Sequence, residues 1–146
     1  MTNAIVQTDG GARGWPGRLL RLEGLALLVV ACVLYHRTGL SWWWFAGLFL
    51  VPDLSFLAYV FGRGAGTLAY NLTHTEVGPA LLGLVGLTVL PAALPFALIW
   101  AAHVGWDRLI GYGLKYASSF DHTHLGPVGK AAKAARAAER ISGSRS

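Results

Sequence analysis

The sequence FALIWAAHVGWDRLIGYGLKY, residues 96–116, closes the last long apolar run of the chain and ends in a group of ionisable side chains. His103 and Asp107 stand four residues apart, so a helix places them on one face, one turn from each other. Gly111 and Lys115 continue that face. Charged groups in the last turns of an apolar helix are costly unless they find partners. This stretch therefore predicts a polar site within an otherwise apolar protein.

The composition indicates an integral membrane protein. Of the 146 residues, 54% are hydrophobic and only 13% are charged, about half the charged fraction of a typical soluble domain. The mean hydropathy is +0.49. The single cysteine, Cys32, excludes an intrachain disulfide and a cysteine-based metal motif. The net charge of +5 comes from residues near the chain ends, as in membrane topology signals, so we predict no nucleic-acid partner.

The apolar runs predict an all-α fold, an integral membrane bundle of four transmembrane helices. The predicted helices cover about residues 19–35, 42–61, 67–90 and either 93 or 96 to 112. Pro52 and Pro79 predict kinks in helices 2 and 3, because proline removes a backbone donor. Residues 67–76 are mixed in character, and they either continue helix 3 or lie at the membrane surface.

Three regions follow from this division: a disordered N-terminal arm (1–17), the four-helix transmembrane domain (18–128) and a basic tail (129–146). Four spans place both termini on one side of the membrane. Of the 12 arginines and lysines in the chain, only Arg37 falls on the other side. By the positive-inside rule, the N- and C-termini are predicted to be cytoplasmic in a multi-pass protein of the cell membrane. The basic tail is expected to bind anionic lipid headgroups.

Each predicted span contributes polar residues at a similar depth. The predicted catalytic residues are Glu23, Asp53, Asn71, His74, His103 and Asp107. Histidines and carboxylates together suit a divalent metal such as zinc, iron or manganese, for which Asp53, His74, His103 and Asp107 are the candidate ligands. The same groups also suit acid–base chemistry without a metal, or a proton relay. Arg108 and Lys115 are predicted to contact an anion or a lipid headgroup.

Simpler structural roles are open for the same residues. Glu23 can pair with a nearby arginine or interact with the start of its own helix. His103 and Asp107 can form a hydrogen-bonded pair that only stabilises helix 4. His122 and His124 lie outside the spans, where they are either solvated loop residues or groups that control access to the site.

The chain resembles a small bacterial membrane family known as domain of unknown function 4260. The resemblance covers about residues 19–129 and implies a small multi-spanning membrane protein, but it supplies no activity. It rests on the motifs RLEG (21–24), PDLS (52–55), YNLTH (70–74), HVGWDR (103–108), GYGLKY (111–116) and, after Phe120, THLG (123–126).

Two functions from different classes follow from the residues. The first is an intramembrane enzyme that acts on a lipidic or isoprenoid-like substrate by acid–base or metal-assisted chemistry. The second is a non-enzymatic membrane component, either a small oligomeric transporter or a scaffold subunit. The absence of a convincing internal repeat argues against a transporter. No GxSxG motif supports a catalytic triad, and no glycine-rich phosphate loop follows a strand.

Overall fold

The computed structural model describes residues 11–12, 14–116 and 119–143 of the chain. These ranges are mainly helical, and all four regions predicted to be helical are so. In chain order the helices are α1 (Gly14–Arg37), α2 (Trp42–Leu48), a 3-10 helix (Val51–Phe61), α3 (Arg63–Thr73), α4 (Val77–Thr88), a 3-10 turn (Pro91–Ala93), α5 (Leu94–Ile110) and α6 (Gly129–Gly143).

Helices α1 and α5 form the most extensive helix pair of the described residues. They run antiparallel, since Gly24 near the start of α1 meets Gly105 near the end of α5, while Tyr35 packs with Ile99 at the other end. A Cβ atom on Gly24 would lie 2.8 Å from the Gly105 carbonyl oxygen. The two glycines therefore let the backbones approach more closely than any side chain would permit.

The second helical region departs from α geometry at the predicted position. Helix α2 ends at Leu48, a turn follows, and Pro52 begins a 3-10 helix in which it needs no backbone donor. The 3-10 helix then packs against α3, which follows it directly. The Tyr59 ring covers Gly66, where no side chain would fit.

The third region is interrupted at residues 74–76, so the kink predicted at Pro79 is misplaced. Pro79 lies in the first turn of α4, where the missing N–H has no intrahelical acceptor and causes no distortion. The interruption instead follows α3, whose C-cap is His74. The mixed segment that begins at Thr67 thus belongs largely to a separate helix.

The expectation of an all-α fold is wrong after α5. Gly111 ends that helix in the left-handed conformation (φ 95°). A small antiparallel sheet follows, in the order β1 (Lys115–Tyr116), β2 (Ser119–Thr123) and β3 (Gly126–Pro127). Strands β1 and β3 have two residues each, too few for the alternating pattern that predicts a strand.

Both terminal regions contact this sheet. Helix α1 begins at Gly14, so the last residues of the predicted arm are helical, while residues 1–10 and 13 lie outside the described residues. The Ala12 N–H donates to the His124 carbonyl oxygen (2.8 Å). The basic tail forms α6, which packs on β2 and β3, and residues 144–146 again lie outside the described part.

Two segments of the described chain are long and apolar enough to cross a membrane, Gly14–Arg37 and Trp42–Phe61, with mean hydropathies of 1.8 and 1.7. Only 17% and 6% of their most apolar windows are buried. Apolar helices in the core of a soluble protein are mostly buried, so these two exposed segments do not resemble such core helices. Helix α4 is apolar but shorter. The four-span bundle stays a prediction.

Candidate metal centre

Three elements bring four predicted site residues together. Asp53 lies in the first turn of the 3-10 helix, next to Pro52. His74 caps the C-terminal end of α3. His103 and Asp107 stand one turn apart on α5, as their spacing predicts. We call Asp53, His74, His103 and Asp107 the Asp–His tetrad.

Donor atoms of Asp53, His74 and His103 all lie within 4.8 Å of one another, and Asp107 Oδ2 approaches the two histidine nitrogens. His74 Nε2 lies 3.2 Å from Asp53 Oδ1, 3.2 Å from His103 Nε2 and 3.6 Å from Asp107 Oδ2. His103 Nε2 lies 3.6 Å from Asp53 Oδ1 and 3.9 Å from Asp107 Oδ2. In a tetrahedral zinc site with bonds of about 2.0–2.1 Å, the ligand atoms are about 3.3–3.4 Å apart. The five measured pairs, at 3.2–3.9 Å, are therefore near the spacing of neighbouring ligands in such a site.

The position of the proton on His74 suits a ligand. His74 Nδ1 lies 2.9 Å from the Tyr70 carbonyl oxygen, one turn earlier on α3, and 2.9 Å from the Thr73 hydroxyl. Because a carbonyl can only accept a hydrogen bond, the bond to Tyr70 requires a proton on Nδ1, while Nε2 faces the carboxylate of Asp53. Metal-bound histidines commonly make this bond to a backbone carbonyl. The Tyr70 ring also stacks on His74, with ring centroids 3.8 Å apart.

His103 is held by packing rather than by its second nitrogen. It is 1% exposed, and the Phe49 ring contacts it edge-on at 5.2 Å. Within the described residues its Nδ1 has no hydrogen-bond partner. The polar contacts of the His103 ring are therefore made through Nε2, toward the other members of the tetrad.

Charge and exposure distinguish the members of the tetrad. Both histidine side chains are buried, and Asp107 is 13% exposed, but Asp53 is 38% exposed. Two carboxylates beside two neutral imidazoles carry the charge that would balance a divalent cation. Solvent or a ligand reaches this cluster from the side of Asp53.

Arg108 supports the cluster through the backbone. Its guanidinium donates to the His74 carbonyl (2.5 Å) and to the Tyr112 carbonyl (2.8 Å), and it lies 3.6 Å from the Glu76 carboxylate. The side chain is buried. Arg108 therefore holds the interrupted end of α3 against α5, and the predicted contact with an anion would have to compete with these bonds.

Asn71 and Lys115 form a second connection, between α3 and the sheet. The Asn71 amide donates to the Lys115 carbonyl (2.9 Å) and accepts from the Lys115 N–H (2.8 Å). The Lys115 ammonium lies 4.6 Å from the ring centroids of both Phe56 and Tyr70. Burial lowers the pKa of Lys115 to about 8, although neighbouring carboxylates oppose the change. Asn71 thus binds the backbone of Lys115, outside the tetrad.

Glu23 does not join the tetrad. It lines a separate cavity of about 320 Å³ together with Glu76, Arg108 and His124. His124 accepts a hydrogen bond from the Leu114 N–H through Nδ1 (2.8 Å), and burial lowers its pKa below the ordinary value. His122 lies in β2, opposite Pro127 of β3. These residues therefore lie on the side of the molecule that holds the hairpin formed by β2 and β3.

An apolar groove of about 260 Å³ adjoins the tetrad. Pro52 and Thr73 line it, and each is the chain neighbour of a tetrad member. The remaining lining residues are apolar or aromatic: Leu48, Val51, Leu82, Phe96, Ile99 and Trp100.

Sequence reasoning missed the residues that orient the tetrad. The Thr73 hydroxyl lies within 3.3 Å of the Pro52 carbonyl and 2.9 Å of His74 Nδ1. The Trp100 indole N–H donates to the Thr73 carbonyl (2.6 Å). The i, i+4 spacing of Tyr70 and His74 was the available signal for one of these partners.

Comparison with known proteins gives a family and no closer relative. The sequence model of the family described as Domain of unknown function (DUF4260) matches residues 17–128. No curated protein and no solved structure matches the chain.

Proposed function

Because the chain belongs to the DUF4260 family, whose description assigns no activity, we propose a function from the centre itself. The protein is a multi-pass membrane protein that binds one divalent metal ion through the Asp–His tetrad. It acts as an enzyme on a lipidic or isoprenoid-like substrate.

The observation that carries the metal site is the grouping of the Asp53, His74 and His103 donor atoms within 4.8 Å of one another, with Asp107 Oδ2 3.6–3.9 Å from the two histidine nitrogens. Two imidazole nitrogens and two carboxylate oxygens are a ligand set that zinc accepts, and iron or manganese also accept it. The bond between His74 Nδ1 and the Tyr70 carbonyl supports the same proposal, because metal-bound histidines commonly bind a backbone carbonyl through their second nitrogen.

The membrane location is supported by the exposure of apolar side chains. Large aliphatic and aromatic residues stay exposed along α1, along residues 42–61 and along α4, as lipid-facing residues would. In the proposed topology α1, residues 42–61, the pair α3–α4 and α5 cross the membrane in turn. The antiparallel contact of α1 with α5 agrees with that order, and the positive-inside rule then places both termini in the cytoplasm.

The enzyme proposal is supported by access to the tetrad. Asp53 is partly exposed, and the adjoining groove has the apolar lining that a hydrocarbon chain requires. A bound metal would supply Lewis-acid chemistry or an activated water. Because Asp53 is the most exposed tetrad member, the substrate would reach the metal from its side.

Elemental analysis of the detergent-purified full chain tests the metal site. We expect about one divalent metal per chain in the wild type. Asp53→Asn and His103→Ala are expected to weaken metal affinity by more than about 100-fold, because loss of a ligand should cost more than the loss of a residue that only orients one, which costs up to about 100-fold. Glu23→Gln is the matched control, because it removes a predicted site carboxylate that lies outside the tetrad. Equal metal loss in the control, or a wild type that binds none of zinc, iron and manganese, contradicts the proposal.

A structural metal site in a scaffold subunit is the second candidate. Four protein ligands, three of them largely buried, are typical of structural zinc sites. Cobalt substitution distinguishes the two candidates. An accessible site changes its visible absorption spectrum when azide is added, whereas a closed structural site does not.

A further inference from the structure

A second polar cavity lies between the start of α1, the hairpin and α6, away from the tetrad. Its volume is about 590 Å³. Ala12, Gly14 and Gly17 form one wall, and Leu125 to Pro127 of the hairpin form another. Helix α6 completes it with Ala132, Ala135 and Arg136.

Three exposed arginines line this cavity: Arg18 of α1, Arg136 of α6, and Arg21 of α1, whose guanidinium lies close to Gly111 at the end of α5. The two α1 arginines stand three residues apart and so share one side of the helix. No acidic residue lines the cavity, and in the described ranges none of the three arginines forms an ion pair. Three like charges around one opening repel each other, and an anion between them would relieve that repulsion.

The start of α1 adds backbone donors to the same wall. Gly14 lies in its first turn, where N–H groups have no intrahelical acceptor, and that turn contains no acidic side chain. The positive end of the helix dipole lies there too. Guanidinium groups match phosphate oxygens through paired N–H donors, which a simple point charge does not do.

We propose that this cavity, which we call the arginine cavity, binds a phosphate group. The phosphate belongs either to the headgroup of an anionic lipid or to a free phosphate ion. In the proposed topology the cavity lies at the cytoplasmic membrane surface, within reach of lipid headgroups. The site is independent of the tetrad, and its occupation requires no metal.

The test compares two charge-matched pairs of substitutions in the detergent-purified full chain. Arg18→Gln with Arg136→Gln removes two charges from the cavity. Lys130→Gln with Lys133→Gln removes two charges from the same region of α6 without touching the cavity lining. Native mass spectrometry measures binding of dioleoyl phosphatidic acid, dioleoyl phosphatidylcholine and inorganic phosphate to each protein.

We expect the wild type to prefer phosphatidic acid over phosphatidylcholine, and the cavity pair to lose about tenfold or more in affinity while the lysine pair loses less than about threefold. Binding of inorganic phosphate at comparable affinity supports a free phosphate as the ligand, and binding of the lipid alone supports a headgroup. Equal losses in both pairs would show unspecific surface attraction and overturn the proposal. A wild type that binds neither phosphatidic acid nor inorganic phosphate would overturn it as well.

Discussion

His74 is the residue on which the centre depends most, because its Nε2 lies within 3.6 Å of all three other donor atoms. Its orientation is set by neighbours that do not belong to the tetrad. Tyr70 stacks on the ring and supplies the carbonyl for Nδ1, while Thr73 adds a hydroxyl. The geometry of the centre therefore depends on Tyr70 and Thr73, which were not predicted as site residues.

Thr73→Val is expected to weaken metal affinity by about 10- to 100-fold, as for other residues that orient a ligand. The substitution keeps the branched shape of the side chain and removes the hydroxyl beside His74 Nδ1. Thr73→Ser, which keeps the hydroxyl, is the control and should bind metal like the wild type. Competition with a metal-sensitive dye measures both affinities, and equal affinity in Thr73→Val would contradict this role.

Lys115 predicts a pH dependence of stability. Burial lowers its pKa from the ordinary 10.5 to about 8, so between these values the unfolded chain holds the proton that the folded protein has released. The stability of the wild type relative to Lys115→Met should therefore rise as the pH increases from about 8 to about 10, and stay constant below pH 8. Thermal unfolding at a series of pH values measures this difference. Parallel curves for the two proteins across that range would contradict the prediction.

The tetrad could be predicted from the sequence only in part. His103 and Asp107 follow from helical spacing, whereas Asp53 and His74 followed from their common depth in the predicted spans. Depth does not specify which side of a helix a residue faces, and so Glu23 was grouped with residues that it does not contact. Asn71 was predicted from the same depth, and its amide binds the β1 backbone.

At the scale of elements, the crossing of α1 and α5 is the contact most sensitive to small changes. A Cβ atom on Gly24 would lie 2.5 Å from the Arg108 Cβ and 2.8 Å from the Gly105 carbonyl oxygen. Arg108 also binds the His74 carbonyl. Displacement of α5 at this crossing would therefore reach the Asp–His tetrad.

Gly24→Ala is expected to destabilise the protein by about 1–3 kcal/mol, because one added methyl group forces two backbones apart. Gly47→Ala is the matched control: it lies in α2, and a Cβ there meets nothing within 4 Å. That control should be neutral or slightly stabilising through helix propensity. Unfolding in detergent measures both, and similar effects of the two substitutions would disprove the close crossing.

The helical regions were predictable because long apolar runs are strong signals. The positions where the helices are interrupted were harder to predict. Pro52 coincides with a real change of helix type. Pro79 does not, since a proline in a first turn is compatible with a helix that starts just before it. The actual interruption is stabilised by Arg108 from a distant part of the chain, which local sequence cannot indicate.

At the scale of the whole molecule, the number of membrane crossings decides which loops share a side. With four crossings the exposed Ala92, between α4 and α5, lies outside the cell. If only the two candidate spans cross, Ala92 stays in the cytoplasm. Gly64 is cytoplasmic in both arrangements and is therefore the control.

Single cysteines at these positions, in a Cys32→Ser background, test the topology with a membrane-impermeant thiol reagent on intact cells. We expect labelling of Ala92→Cys before permeabilisation and of Gly64→Cys only afterwards. Labelling of both positions only after permeabilisation would leave two crossings and contradict the four-span proposal.

The pairing of α1 with α5 also has a consequence for biosynthesis. The ribosome completes α1 more than fifty residues before it begins α5, so the contacts between the two helices form only after α5 has been made. Asp53 and His74 likewise emerge before His103 and Asp107 on α5. Because contacts between distant segments form late in folding, the tetrad can assemble only after α5 has been made. Under the proposed function, a metal would then bind only after that point, and chains that lack α5 carry no assembled site.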